Sequence, residues 1–293
     1  MSAPVKFGPP VITIDVEDWP QSTWDHDLPV TERVVVNTKR MLRLLADANV
    51  KATMFVLGKV ARRYPGLVKD IRADGHDVAC HGDAHIEIFH QSRDAFAGDI
   101  RESKEVLEQI LGEPVRGYRA PDFSIVSRTL WALEVLAEHG FEYDSSIFPV
   151  RRPRYGIPKW PTSPVHVLVA GRSILELPLA TFRGIGRNWP IGGGGYHRLL
   201  PGALSRHLAD RSMRSRPFIF YCHPYELDAA EFHELPLHIP WRVRLHQGLG
   251  RRRFGDRLRA FLRRFGGRPV SAVVDDHSWP RYGLQDLAAT IGP

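Results

Sequence analysis

The sequence predicts an α/β fold whose parallel strands form a sheet or barrel, with the chemistry at the carboxyl ends of the strands. Short apolar runs alternate with segments of helical periodicity along most of the chain. The 293 residues are enough to bury a substantial core within one domain. Charged and imidazole side chains follow several of the apolar runs, where a barrel would gather them at one mouth.

The elements are predicted from the period of the apolar residues and from glycines that end helices. The first helix has a buried stripe that includes Met41 and Leu45, and Gly75 and Gly112 end the next two helices. In chain order we predict a strand at 11–16, a helix at 31–48, a strand at 52–57, a helix to about 74, a strand at 77–82, a helix at 93–111, a strand at 115–121, a helix at 127–139 and a strand at 141–146.

The alternation is interrupted at 146–200, where proline and glycine are dense. HVLVAG and SILELPLA are typical of a hairpin, and a long irregular loop inside a compact domain is usually functional. The glycines at 192–195 follow no predicted strand, and the next helix begins only after Pro201, so a phosphate-binding loop is not favoured. A strand at 217–224 follows. Neither an internal repeat nor a linker is apparent, and we expect one domain over residues 1–293.

Composition indicates an ordinary globular protein, with 43% hydrophobic and 25% charged residues. No stretch approaches the roughly 20 apolar residues of a membrane span, and the first residues lack the plan of a signal peptide. We therefore expect a cytoplasmic protein. Cys80 and Cys222 each precede a histidine of interest, and we expect them to pack as small apolar side chains rather than to form a disulfide.

The formal charge of +7 is concentrated in the arginine-rich segment at 241–265, which holds nine arginines and one aspartate. Apolar residues from Phe254 to Leu262 recur at helical spacing, which predicts a basic amphipathic helix. Its basic side is either the solvated face of a packed helix or a surface for an anionic membrane or a lipid-linked phosphate. Nucleic acid is not an expected partner, because no recognised binding motif accompanies the arginines.

Two histidines, His81 and His85, stand four residues apart just after the short apolar run HDVAC at 76–80. With 14 histidines in the chain, chance supplies about one such pair, so the pair alone is weak. The acidic segment TIDVEDW adds Asp15, Glu17 and Asp18 at the end of the first strand. Two histidines and one carboxylate are a common ligand set for a catalytic metal, with one position left for water.

Metal-assisted hydrolysis of an amide or ester fits the polar groups at the strand ends. A carboxylate would remove the proton of the attacking water, and a histidine would protonate the departing nitrogen. The groups are the three acids of TIDVEDW, the two histidines of HGDAH, Arg119 in YRAPDF and His223 in YCHPYELD.

The order of the motifs TIDVEDW, HGDAH, YRAPDF, LELP and YCHPYELD resembles the NodB-type polysaccharide deacetylases of carbohydrate esterase family 4. The likeness is to the branch associated with exosortase and extracellular-polysaccharide gene clusters. It runs from about residue 10 to the end and includes NWPIGGGGYHRL at 188–199. The resemblance implies a distorted (β/α) barrel, as a single domain with an inserted hairpin and a glycine-rich loop.

The resemblance also implies roles for individual residues. Asp15 would be the general base and Arg119 would orient it, whereas His223 would be the general acid. His81 and His85 would be metal ligands. Many relatives have two adjacent aspartates in the first motif, but here Val16 follows the first acid. Glu17 matches the relatives that space these acids as D-x-D, so we assign the third ligand position to Glu17, with Asp18 as the rival.

Three further residues are candidate substrate contacts. Asp122 is either a sugar contact or a turn residue, and Trp189 and Tyr196 are either a platform for stacking a sugar ring or ordinary packing. The metal implied is one divalent ion, zinc first, with cobalt, nickel, iron or manganese as alternatives.

The implied activity is removal of N-acetyl groups from an amino sugar of a polysaccharide, or of its lipid-linked precursor, in exopolysaccharide biosynthesis. Because a fold does not fix a substrate, hydrolysis of another C–N amide such as a formamide or cyclic ureide is an alternative. An inactive glycan-binding protein is the alternative from another class.

Overall fold

A nine-stranded sheet forms the centre of the computed structural model, which describes residues 7–275 and 279–291. All neighbouring strands of this sheet are parallel except β6 and β7, which form an antiparallel hairpin. The spatial order is β10-β1-β2-β3-β4-β5-β7-β6-β11, and β8 and β9 form a separate two-stranded sheet. The strands are β1 Val11–Val16, β2 Thr53–Val56, β3 Asp77–Cys80, β4 Gly117–Tyr118, β5 Tyr143–Asp144, β6 Val165–Val169, β7 Arg172–Glu176, β8 Thr181–Gly184, β9 Arg187–Pro190, β10 Ile219–Cys222 and β11 Arg281–Gly283.

Helices follow most strands, so the α/β class predicted from the sequence is confirmed as a distorted barrel. The helices are α1 Arg33–Asp47, α2 Gly58–Arg63, α3 Pro65–Ala73, α4 Arg93–Leu111, α5 Ala132–Glu138, α6 Gly194–Leu199, α7 Gly202–Met213, α8 Glu231–Glu234, α9 Trp241–Gly248, α10 Arg251–Phe265, α11 Ser271–Val274 and α12 Leu284–Ile291. Among the described residues, no helix combines the length and apolar character needed to span a bilayer.

The hairpin predicted within 146–200 is present as β6 and β7, and it joins the main sheet, because β7 pairs with β5 and β6 pairs with β11. The prediction that the glycine run follows no strand was wrong: it follows β9 and opens a helix at Gly194. The sequence pattern missed this because α6 begins on glycines, which have low intrinsic helix propensity.

The arginine-rich segment is not one helix. It breaks at Leu249 and Gly250, where Gly250 has a φ of 81° that favours glycine. The apolar side of α10 is buried: Phe254, Leu258 and Phe261 lie in the main core, and Phe261 stacks on Phe220 of β10 at 5.4 Å. The apolar stripe of this helix therefore faces the protein, whereas α9 has no buried residue.

The register of the parallel strands brings their carboxyl ends to one edge. Ile14 of β1 pairs with Cys222 of β10, Val56 of β2 pairs with Cys80 of β3, and Cys80 pairs with Tyr118 of β4. The residues that follow these positions therefore point into a common region. Both cysteines are buried and reduced, as predicted.

Candidate active site

A cleft of about 300 Å³ opens at this edge of the sheet. Its walls come from both halves of the chain, because the loops after β1, β3 and β4 meet those around α6 and after β10. The residues that line it include Asp15, Glu17, His81, Asp122, Phe123, Arg154, Tyr155, Tyr196, Arg198, Tyr221, His223, Tyr225 and Glu226.

Glu17, His81 and His85 form a buried cluster. The Oε1 atom of Glu17 lies 2.9 Å from Nε2 of His81 and 3.1 Å from Nε2 of His85. His81 has its Nδ1 2.8 Å from the carbonyl oxygen of Arg119, a partner to which Nδ1–H donates. In the neutral imidazole the Nε2 lone pair then faces the carboxylate, an arrangement that suits a bound cation.

The charges within this cluster depend on one another. Burial alone would raise the pKa of Glu17, but His85 and His223 hold it well below its ordinary value. Burial would lower the pKa of His85, whereas Glu17 raises it to about 9. The carboxylate therefore favours a positive charge between these three side chains. Protonation of His85 would supply that charge, and so would a divalent metal ion.

Asp18 is not part of this cluster. Its two carboxylate oxygens accept from the backbone N–H of Thr31 at 2.6 Å and from the Thr31 hydroxyl at 3.0 Å. Burial raises the pKa of Asp18 to about 6 despite these bonds. The side chain thus fixes the chain before α1, and the geometry favours Glu17 over Asp18 as the third ligand.

Arg119 holds one oxygen of Asp15. Its Nη1 donates to Asp15 Oδ1 at 2.7 Å and to the Thr13 hydroxyl at 2.8 Å, and its other nitrogens bond Ser145. The guanidinium is fully buried and lies 4.2 Å from the Phe55 ring centroid. Because these hydrogen bonds fix the Arg119 guanidinium, the Asp15 carboxylate keeps its orientation. The second oxygen of Asp15 faces the cleft.

His223 completes the site from the end of β10, the strand next to β1 in the sheet. Its Nε2 lies 3.9 Å from Asp15 Oδ2 and 3.7 Å from Glu17 Oε1. Burial would lower the pKa of His223, but Glu17 and Glu226 raise it above the ordinary value. Tyr225 stacks on the imidazole with ring centroids 4.6 Å apart. His223 is therefore suited to hold a proton that it can donate into the cleft.

Glu226 is a further site residue, to which no role was assigned from the sequence. Its Oε1 lies 3.1 Å from His223 Nδ1, and its Oε2 lies 2.7 Å from Nε of Arg198. The turn Pro224–Leu227 brings this acid back to the histidine three residues before it. An acid at that spacing after a predicted catalytic histidine was the signal available in YCHPYELD.

Close packing against β10 explains the glycine run. A Cβ on Gly194 would lie 2.2 Å from Glu226 Oε1, and a Cβ on Gly193 would lie 2.8 Å from the Tyr221 ring. Gly192 also accepts a backbone hydrogen bond from Tyr221 at 2.7 Å. These glycines let α6 approach the strand that carries His223.

The structure separates the three predicted substrate contacts. Asp122 lines the cleft with a φ of 51° and pairs with Arg154 at 2.6 Å. Tyr196 also lines the cleft, with its hydroxyl 2.9 Å from that of Tyr155. Trp189 instead lines a second cavity, where the Arg187 guanidinium lies 3.8 Å from its ring centroid. Trp189 and Tyr196 therefore do not form one stacking platform.

Comparison with known families divides the chain in two. Residues 9–143 match the family described as Polysaccharide deacetylase. Residues 145–275 match a Domain of unknown function (DUF3473). The candidate site draws Asp15 and His81 from the first segment and Tyr196 and His223 from the second.

Curated relatives match about a third of the chain. A Peptidoglycan-N-acetylglucosamine deacetylase of Bacillus cereus is 33% identical over 98 residues, which are 33% of this chain and 36% of that protein. A Chitooligosaccharide deacetylase of Rhizobium leguminosarum bv. trifolii is 32% identical over 97 residues, 32% of this chain and 45% of that protein. The chain thus spans less than half the length of these relatives.

Solved structures resemble the whole chain. A Mycobacterium smegmatis protein, described provisionally as a polysaccharide deacetylase, has a TM-score of 0.58 at 21% identity and covers 99% of this chain and 92% of its own. A Pseudomonas aeruginosa PAO1 protein of similar description has a TM-score of 0.56 at 14% identity, covering 96% and 89%. At these identities the likeness concerns the fold.

Proposed function

We propose that this protein is a metal-dependent hydrolase, because residues 9–143 match the polysaccharide deacetylase family and the cleft holds the residues for such chemistry. Its reaction removes N-acetyl groups from an amino sugar of a polysaccharide or of its lipid-linked precursor. The observation that carries the proposal is the cluster of Glu17, His81 and His85 beside two oriented proton-transfer groups, Asp15 and His223. Both matched segments supply site residues, so we propose one catalytic domain.

The donor set fits a divalent metal. Two imidazole nitrogens and one carboxylate accept zinc, cobalt, nickel, iron or manganese, and zinc is our first choice. The fixed tautomer of His81, with Nδ1–H on the Arg119 carbonyl, leaves Nε2 as the ligand atom. When bound by Glu17, His81 and His85, the ion would polarise the substrate carbonyl and acidify water.

The chain's own residues move the protons. Asp15 accepts the proton of the attacking water on the oxygen that Arg119 does not hold. The water oxygen bonds to the amide carbon, the C–N bond breaks, and His223 gives its Nε2 proton to the departing nitrogen. Acetate and a free amine leave. Glu226 holds Nδ1 of His223, so the other nitrogen faces the cleft.

Amino sugars are the substrate class that the relatives support, since both named relatives are deacetylases of such glycans. We propose that Asp122 and Tyr196 contact the sugar, because both line the catalytic cleft. Arg154 holds Asp122 in place and also pairs with Glu87 at 2.5 Å.

The test compares two buried aspartates from the same strand end. Asp15→Asn should retain the metal but lose at least ~100-fold in acetate release from chitooligosaccharides, because an amide cannot accept the water's proton. Asp18→Asn is the matched control and should keep most of the turnover, since Asp18 bonds Thr31 rather than the cluster. His85→Ala should lose stoichiometric metal, measured by elemental analysis.

Several outcomes would contradict the proposal. Wild-type protein that binds no metal when supplied with zinc or cobalt would exclude the ligand assignment. Metal-loaded protein that releases no acetate from any N-acetylhexosamine oligomer would exclude the activity. Near-normal turnover in Asp15→Asn, with loss in Asp18→Asn, would reverse the roles of these two residues.

We also propose that α9 contacts an anionic membrane surface, in place of the continuous helix predicted at 241–265. Trp241, Leu245 and Leu249 are spaced four residues apart and are 67%, 58% and 53% exposed. The adjoining cavity is also lined by Arg244, Arg252 and Arg253, and no described residue in its lining is a carboxylate.

The position of this surface fits a lipid-linked substrate. Arg198 and Leu199 line both the cavity beside α9 and the catalytic cleft. Apolar side chains that enter the interface, together with arginines that contribute about 1 kcal/mol each near anionic lipid, give reversible attachment. Lipid contact at α9 would place the cleft next to the headgroup region.

Liposome flotation tests the membrane contact. Wild-type protein should float with vesicles containing phosphatidylglycerol, less so as salt rises, and not with phosphatidylcholine alone. Trp241→Ser with Leu245→Ser should abolish flotation. Val36→Ser with Leu168→Ser, two exposed apolar residues elsewhere, is the matched control. Equal recovery of both double variants, or no flotation of wild type, would exclude this role for α9.

A further inference from the structure

A second cavity of about 330 Å³ is lined by cations. Arg151, Arg152 and Lys159 come from the loop after β5, and Arg183 and Arg187 come from the β8–β9 hairpin. No carboxylate is among the described residues that line it. The cavity therefore concentrates positive charge on a concave surface.

These five cations form no ion pair with any residue in the described part of the chain. Arg154 lies in the same loop but differs from these five cations, because it pairs with both Glu87 and Asp122. Like charges around one cavity repel, and a concave wall of one sign raises the local concentration of counter-ions. An anion in the cavity would relieve the repulsion.

The cavity adjoins the catalytic cleft along two segments. The loop that supplies Arg151 and Arg152 continues to Tyr155, which lines the cleft. The hairpin that carries Arg187 continues through the glycine run to Tyr196, which also lines the cleft. At the boundary the Arg152 guanidinium lies 5.8 Å from the Tyr196 ring centroid.

The hairpin also provides an ordered wall. Arg183 pairs with Asn188 across β8 and β9, and Asn188 donates to the Pro149 carbonyl at 2.8 Å. The Trp189 indole N–H donates to Gly184 at 3.0 Å, which fixes the ring beside Arg187. An aromatic ring next to cations presents both an apolar face and charge to a ligand.

We propose that this cavity binds the acidic group, a carboxylate or a phosphate, of a sugar unit next to the unit in the catalytic cleft. The substrate is accordingly an anionic glycan. This inference rests on the proposed function, because it extends the same binding site by one sugar. It gives Trp189 a place in substrate binding that is separate from that of Tyr196.

Titration calorimetry with two glycans of similar shape, one charged and one neutral, tests whether the charge of the ligand contributes to binding. The probes are a hyaluronan hexasaccharide, which alternates N-acetylglucosamine with glucuronate, and the same hexasaccharide with its carboxyl groups reduced to alcohols. The native probe should bind at least about ten-fold more tightly, because hydrogen bonds to charged groups are stronger than neutral ones. The difference should shrink as salt rises.

Paired variants locate the effect. Arg183→Gln with Arg187→Gln should remove the preference for the native probe. If the hairpin variant fails to fold, Arg151→Gln with Lys159→Gln tests the opposite wall of the cavity and should also remove the preference for the native probe. Lys69→Gln with Arg172→Gln lowers the net charge equally at exposed positions elsewhere and should keep the preference.

Competition by inorganic phosphate identifies the acid group. Displacement of the hexasaccharide at low phosphate concentration shows that the cavity accepts phosphate, whereas preference for the native probe without displacement assigns a carboxylate. Equal binding of both probes without cavity-dependent phosphate binding would overturn the proposal, as would equal loss in the control variant. Absence of acetate release with the preference intact would refute the proposed function and leave the anion site standing.

Discussion

His223 faces the catalytic cleft with one nitrogen because Glu226 holds the other. Arg198 in turn fixes Glu226 with an Nε–Oε2 distance of 2.7 Å. Burial alone would raise the pKa of Glu226, but His223 and Arg198 keep it below its ordinary value. The carboxylate therefore stays ionised and stabilises a protonated imidazole.

Glu226→Gln should move the alkaline limb of the pH–rate profile to lower pH. The amide oxygen can still accept from His223 Nδ1, but the negative charge that raises the pKa of His223 is lost. The general acid then deprotonates at lower pH, so kcat/KM falls earlier on the alkaline side. Acetate release measured from pH 5 to 10 provides the profile.

The control for this prediction is Glu105→Gln, at an exposed position on α4. Its profile should match that of wild type. Asp15 and Glu17 also face His223 and keep part of its raised pKa, so the shift should be partial. An unchanged profile in Glu226→Gln would remove the positioning role from this residue.

At the scale of elements, the start of α6 decides how closely the chain approaches β10. A Cβ on Gly194 would meet Glu226 Oε1 at 2.2 Å and the Cys222 side chain at 2.7 Å. The next residue, Gly195, has open space, with its nearest neighbouring atom on Arg198 3.8 Å away. Two adjacent glycines thus differ sharply in what they tolerate.

Gly194→Ala should lower both stability and activity. The methyl group must displace Glu226 or the start of α6, and overpacking of this kind typically costs about 1–3 kcal/mol. Gly195→Ala should be tolerated and serves as the control. Thermal unfolding and acetate release give the two readouts. A Gly194→Ala variant with wild-type stability and turnover would show that α6 adjusts without disturbing His223.

The residues at the strand ends could be predicted from the sequence, because short apolar runs mark the strands and the polar residues that follow each run mark its end. Apolar runs marked β1, β3 and β10, and parallel strands bring their carboxyl ends together. The structure accordingly places Asp15, His81 and His223 in one cleft. Arg119 follows β4 and reaches the same place.

Other features depend on contacts between distant segments, which a local pattern does not contain. The glycine run opens a helix where the chain must approach β10 closely, and Trp189 lines the second cavity rather than the catalytic cleft. The break at Gly250 divides the arginine-rich segment, and the core then takes the apolar side of α10. The spacing of the apolar residues predicted the apolar stripe of α10, but it did not predict that the stripe packs against the protein core.

At the scale of the whole molecule, the fold holds several carboxyl groups away from water. Burial raises the pKa of Asp18 to about 6 and those of Asp99 and Glu231 to about 7. Asp99 accepts one hydrogen bond, from the backbone N–H of Asp83 at 3.1 Å, beside the loop that carries His81 and His85. That single bond does not offset the loss of hydration.

The raised pKa of Asp99 makes stability depend on pH. An aspartate in an unfolded chain has a pKa of about 3.9. Between that value and about 7, the unfolded state ionises while folded Asp99 keeps its proton. The stabilising contribution is fully present below the unfolded value and is lost as pH rises through the folded value.

Asp99→Asn should therefore raise the thermal unfolding temperature at pH 8, and the gain should shrink toward pH 5. The amide oxygen can still accept from Asp83, but it carries no charge that burial opposes. Each kcal/mol regained corresponds to about 2–4 °C in domains somewhat smaller than this one. Asp47→Asn, at an exposed position, should leave the temperature unchanged at every pH. A gain in Asp99→Asn that is equal at pH 5 and pH 8 would show that packing, rather than ionisation of this half-buried carboxyl group, limits stability at this position.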